Sequence, residues 1–259
     1  MKHFALTAAL ISVSLCSALT AGSPFNGTWK FNPAKSQLTG DTFSYSAGPD
    51  GKLHFSDGGA WEFDFALDGK PYKTPGGSLT TWTAAGNNAW DRSSSFEGKA
   101  TGKGHSALSA DEKQLISSWT DFRPDGTKAT SSDVYERVSG GPGLLGKWKN
   151  IKVEATSDTI ILSVPSPGKI SYEVPEYKIK VSGPTDGSSI KPVGPTVSKN
   201  FFFSFKVVNP RTFSYESRLN DKVTGVGNLE VSADGKTLSA VSWTPGKEDE
   251  KTKAVYDKK

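Results

Sequence analysis

Trp61-Glu62-Phe63-Asp64-Phe65-Ala66-Leu67-Asp68 decides the fold class. An extended chain puts Trp61, Phe63, Phe65 and Leu67 on one face and Glu62, Asp64, Ala66 and Asp68 on the other. A helix would scatter these side chains around its axis, whereas a half-buried antiparallel strand sorts them into an apolar and a polar side. The same period of two recurs outward from this stretch. Tyr177, Ile179 and Val181 alternate with Lys178 and Lys180, and Phe201, Phe203, Phe205 and Val207 share one face. Pro49-Asp50-Gly51, Pro124-Asp125-Gly126 and Ala233-Asp234-Gly235 supply tight reversals between such runs. No segment sustains a helical period. The pattern predicts an all-β protein with about eight or nine short strands in each half.

The halves are copies. At a constant offset of 123, Trp90–Leu115 and Phe213–Leu238 share 10 identities in 26 positions without a gap. The matches include Thr101-Gly102-x-Gly104 with Thr224-Gly225-x-Gly227, and Ser109-Ala110-Asp111 with Ser232-Ala233-Asp234. Farther out, Gly27-Thr28-Trp29-Lys30 matches Gly146-Lys147-Trp148-Lys149, and Val134-Tyr135-Glu136 matches Val255-Tyr256-Asp257. The duplication predicts one barrel over residues 22–138, a linker at 139–143 (Ser-Gly-Gly-Pro-Gly) and a second barrel over 144–259.

Residues 1–21 read as a secretory signal: Lys2 and His3, then a mostly apolar run from Phe4 to Leu15, then small residues with a cut near Ala21 or Gly22. A periplasmic or extracellular location is expected. The apolar run is short for a bilayer span, so stable membrane insertion is not. Removing the signal removes Cys16, the only cysteine, which excludes disulfides and cysteine-ligated metal. The net charge of +4 is spread along the chain without a dense basic block, which argues against nucleic-acid binding. Asn26-Gly27-Thr28 has the form of an N-glycosylation sequon.

Gly-x-Trp on a first strand, with Val-Tyr-Glu/Asp on a closing strand, resembles the calycin superfamily of lipocalins, fatty-acid-binding proteins and avidins. Phe25-Asn26-Gly27-Thr28-Trp29-Lys30 and Val134-Tyr135-Glu136-Arg137 look most like the fatty-acid-binding proteins. The resemblance implies two tandem antiparallel up-and-down barrels. In each, a glycine (Gly27, Gly146) bends the first strand and a tryptophan (Trp29, Trp148) plugs the closed end. It also implies a basic side chain over each plug: Arg137 over Trp29, and Lys258 or Lys259 over Trp148. The chain departs from the family where Asp133 and Ala254 replace an arginine two residues before the closing-strand tyrosine, and where too few residues follow Trp29 for a helical lid.

Candidate chemistry is sparse. His54 and His105 have no partner at metal-ligand spacing, so no metal site or cofactor is expected. Glu62/Asp64/Asp68 and Glu173/Glu176 are the conceivable acid pairs of a glycoside hydrolase, but the first set alternates against an aromatic face as a solvated strand edge, and no catalytic residue is assigned. A hydrolase or isomerase would have to draw on His54, His105 and Arg92. By alternation Trp90, Arg92, Ser94 and Phe96 share a face. If that face lines the barrel, Arg92 sets a cation among aromatics, suited to a carboxylate. Trp29, Trp119, Trp148 and Trp243 recur in both copies and read as core. Trp61, Phe63, Phe65, Trp82, Trp90 and Arg92 are the expected ligand contacts, in the first barrel. The expected function is non-enzymatic binding of a small apolar or carboxylate-bearing ligand inside a barrel. The alternative is an envelope or extracellular interaction module with filled barrels, acting through loops such as Ser182–Ser198.

Overall fold

The computed structural model describes residues 22–259, so the expected signal peptide lies outside the described residues. The fold is all-β, as the alternation predicts. The first ten strands are β1 (Gly27–Phe31), β2 (Thr42–Ala47), β3 (Leu53–Ser56), β4 (Glu62–Phe65), β5 (Tyr72–Lys73), β6 (Leu79–Gly86), β7 (Ala89–Phe96), β8 (Lys99–Leu108), β9 (Gln114–Phe122) and β10 (Lys128–Ser139). The second half adds β11 (Gly146–Glu154), β12 (Thr159–Ser163), β13 (Lys169–Val174), β14 (Ile179–Pro184) and β15 (Phe201–Asn209). It ends with β16 (Thr212–Leu219), β17 (Lys222–Val231), β18 (Thr237–Trp243) and β19 (Thr252–Lys258). They form two nearly closed antiparallel barrels. One sheet runs β4-β3-β2-β11-β10-β9-β8-β7-β6-β5 and the other β14-β13-β12-β1-β19-β18-β17-β16-β15.

These orders correct the expected boundaries. The first strand of each copy completes the barrel of the other. β1 pairs with β12 and β19, whereas β11 pairs with β10 and β2. Barrel one is therefore the continuous stretch 42–154, and barrel two is 159–258 plus residues 27–31. The expected linker at 139–143 is part of the β10–β11 turn within barrel one. The chain crosses between barrels at residues 32–41 and 155–158.

The exchange also reassigns the plugs. Trp29 and Trp148 are both fully buried, and each indole Nε1 donates to the carbonyl four residues earlier, Phe25 and Leu144, at 2.9 Å. The cation over Trp29 is Lys258, at 4.9 Å from the ring centre, and the cation over Trp148 is Arg137, at 4.2 Å. Each plug has moved into the other copy's barrel, so the expected pairing is crossed. The glycine two residues before each plug has a φ that disfavours side chains, +144° at Gly27 and +137° at Gly146. Arg137 does more than cover a ring. Its Nε donates to the Glu112 carbonyl at 2.8 Å, and its Nη atoms reach the carbonyls of Gly141, Gly143 and Leu145 at 2.6–2.7 Å.

The segment expected to act as a partner loop, Ser182–Ser198, bridges the seam of barrel two while much of it stays exposed. Ile190 pairs with Phe203, Val193 with Lys180, and Ile190 is buried in the core. The barrels also touch directly. Glu250 accepts the Thr42 amide at 2.9 Å and Lys247 donates to the Thr42 carbonyl at 2.8 Å, while Arg123 of barrel one ion-pairs with Asp158 of the connector.

Candidate functional site

In barrel one, alternation along β7 and β9 aims Arg92, Leu115, Ser117 and Trp119 inward. Gly102 and Gly104 leave room on β8 for the Trp119 indole: a Cβ on either would lie within 2.6 Å of that ring. In the second copy only Gly227 is required in this way, by the Val241 carbonyl and the Tyr215 ring, while Gly225 has room for a Cβ. The Arg92 guanidinium lies between two indoles, 5.0 Å from the centre of Trp82 and 5.3 Å from Trp119, and donates to Ser117 Oγ at 2.6 Å. No carboxylate ion-pairs with it among the described residues, and its Nε is buried without a partner. Behind this stack a cavity of about 180 Å³ remains, bounded by Phe43, Tyr45, Phe55, Tyr135 and Arg92. Burial pushes the Tyr45 hydroxyl up to about 12, against the pull of Arg92. Burial also raises Asp133, with neighbouring Asp41 adding to it and Tyr135, Arg92 and Asn150 opposing. Barrel one is thus largely filled by its own aromatic and charged side chains.

Barrel two is packed at the plugged end by Trp29, Phe25, Leu162, Ile170 and Phe213. Towards the other end its side chains leave a cavity of about 500 Å³. Tyr172, Ile179, Val181, Phe201, Phe203 and Leu219 form the barrel wall. Trp61, Phe96, Phe122 and Pro124 of barrel one close over it. Tyr177 sits at the junction, donating to Asp121 Oδ2 at 3.1 Å, while the Arg123 guanidinium lies 5.4 Å from its ring centre. Asp121 Oδ1 accepts from the Trp119 indole at 2.8 Å.

Five of the six expected ligand contacts gather inside barrel one, around no cavity large enough for a ligand, and Trp61 lies apart from them. Trp82, Trp90 and Phe65 are buried in the core of barrel one, and Phe63 packs between Phe55 and Phe65. Arg92 faces inward to the small cavity. Trp61, 37% exposed and resting on Gly76, alone reaches the larger cavity. Trp119 and Trp243 are only partly buried, unlike the fully enclosed plugs. Counting tryptophans does not pick out the cavity-lining Phe201 and Phe203, whose alternation is legible, or the shorter Ile179, Val181 and Leu219, which make the space.

His54 and His105 each form a cross-strand pair with an aspartate, Asp64 and Asp91, at 2.8 Å on partly exposed surface. Glu173 pairs with Lys180 at 2.8 Å, and Glu176 accepts the Thr159 amide at 3.0 Å. Among the described residues no three His, Cys, Asp or Glu cluster as metal ligands, and no helix is long and apolar enough to cross a membrane. No protein-family model, curated protein or solved structure matches the chain.

Proposed function

We propose that this protein is a secreted, calycin-like carrier that binds a small apolar ligand in barrel two, under the rim of barrel one, without covalent chemistry. The observation that supports this is the cavity of about 500 Å³, within the range of small-molecule sites and walled mostly by aromatic and aliphatic side chains. Barrel one contributes the cover and the rigid frame. Its own interior cavity of about 180 Å³ is below that range.

An environment-sensitive apolar dye, with native mass spectrometry of the purified protein, tests the reading. One dye per chain is expected, displaced by long-chain apolar compounds. Ile179→Trp, which fills the mouth, should abolish uptake while the thermal transition is retained. A folded wild-type protein that takes up no dye and carries no small molecule would defeat the proposal.

A further inference from the structure

The two barrels began as one design and have diverged in the middle of their interiors. Where barrel one holds Arg92, Asp133, Asn150 and Tyr135, the corresponding residues of barrel two are Tyr215, Ala254, Phe31 and Tyr256. A cation, a carboxylate and a buried amide have been replaced by a phenol, a methyl and a phenyl ring. Among the residues lining the large cavity there is no lysine, arginine or histidine. The one charged residue there, Asp121, has its oxygens held by Trp119 and Tyr177. Arg123 and Arg218, next in sequence to the lining residues Phe122 and Leu219, are taken by Asp158 and Glu216.

What the interior of barrel two offers is hydroxyls. Tyr172 lines the cavity, and Tyr215 and Tyr256 pack against the same core. Burial, and then the neighbouring Tyr256 and Tyr215, hold the Tyr172 hydroxyl above the ordinary phenol range, so it stays neutral and able to donate. A carboxylate entering this space would lose its hydration without gaining a counter-ion, and would meet Asp121 at the rim. A hydroxyl or carbonyl would lose little and could be met by a phenol.

Building on the carrier reading above, we infer that the ligand of barrel two is uncharged: an apolar chain or ring bearing a hydroxyl or carbonyl that Tyr172 holds, and not a carboxylate. The cavity selects by charge as well as by size.

Decanol and decanoate, matched in chain length, are compared as competitors of the bound apolar dye at pH 8. Decanol should displace it at least about tenfold more tightly, and the gap should narrow at pH 5 as the acid becomes partly neutral. Tyr172→Phe should weaken decanol about three- to tenfold relative to decane, a matched chain without a hydroxyl, in the same competition. Decanoate binding at pH 8 within about threefold of decanol, or more tightly, would overturn the charge rule while leaving the carrier reading intact. Unchanged decanol affinity in Tyr172→Phe would overturn the hydroxyl anchor. A protein that takes up neither dye nor competitor would remove both.

Discussion

The ammonium of Lys258 lies 4.9 Å from the ring centre of Trp29, joining the two ends of the described chain over one barrel plug. The corresponding pair, Arg137 and Trp148, lies within barrel one. The two contacts are chemically alike and topologically different, because each copy has given its first strand away.

The exchange predicts which residues can be cross-linked. Lys30 is the register partner of Asp257. In a barrel built from one copy alone, it would instead face Glu136, the partner of Lys149. With Cys16 changed to serine, the pair Lys30→Cys and Asp257→Cys should form a disulfide within a single chain. The pair Lys30→Cys and Glu136→Cys should not. Directly opposed antiparallel residues meet the distance that a disulfide needs. Non-reducing electrophoresis with peptide mapping distinguishes the outcomes.

Arg137 ties four carbonyls and covers an indole, so its removal should be among the most damaging surface-near changes. Arg137→Ala should cost about 2–4 kcal/mol, because charge-assisted hydrogen bonds and their abandoned acceptors both count. Arg137→Lys should recover only part of this, since an ammonium can cover the ring but cannot reach divergent carbonyls as a planar fork does. Equilibrium denaturation gives both values.

The plug glycines should differ in tolerance although their φ angles are similar. A Cβ at Gly146 would lie 2.2 Å from the Ser139 carbonyl oxygen, which is backbone. At Gly27 the nearest atom is Lys258 Cε at 2.8 Å, part of a flexible stem that can swing aside. Both alanine variants bear the cost of the unfavourable φ, and Gly146→Ala should be the more destabilising by at least about 1 kcal/mol. Thermal melts of the two variants side by side check the order.

Asp133 gives a pH test. Burial raises its pKa in the folded protein above the unfolded value of 3.8. The folded state therefore holds this proton to higher pH than the unfolded chain. The contribution to stability falls as pH rises from the unfolded value through the folded one, and stays lower above it. Asp133→Asn should raise the Tm at pH 7 and give no such gain at pH 3, where the wild-type carboxyl is protonated in both states. An equal gain at both values would trace the effect to packing instead of charge.

Much of the fold was legible because its signals are local. Alternation along Trp61–Asp68 needs only the strand period, and the duplicated Ser-Ala-Asp turns need only their own side chains. The plugs, too, could be read from Gly27 to Trp29 and from Gly146 to Trp148. The exchange could not. Lys30 finds an acid opposite it in either arrangement, Asp257 or Glu136, and Trp29 finds a cation in either, Lys258 or Arg137. Duplicated partners make the two pairings nearly interchangeable at the level of residue type, so only the three-dimensional path of the connectors separates them. The candidate site was obscured for a different reason. Bulky rings mark where an interior is filled, as Trp82, Trp90 and Trp119 fill barrel one. A hollow is made by side chains that stop short, such as Val181 and Leu219, and no residue count reveals it.

The route of the chain also bears on the order of folding. Barrel one is complete once residue 154 has been made, and all its strands are then available to one another. Barrel two depends on β1, the earliest of the described strands to be made, meeting β19, the latest of them. β12 can cover one edge of β1 earlier, but until β19 is made the other edge, beside Trp29, stays open. The slowest step in assembly should therefore be the docking of β1 on β19, whose loop closure spans nearly all the described residues. Removing either β1 or β19 would strand the same barrel.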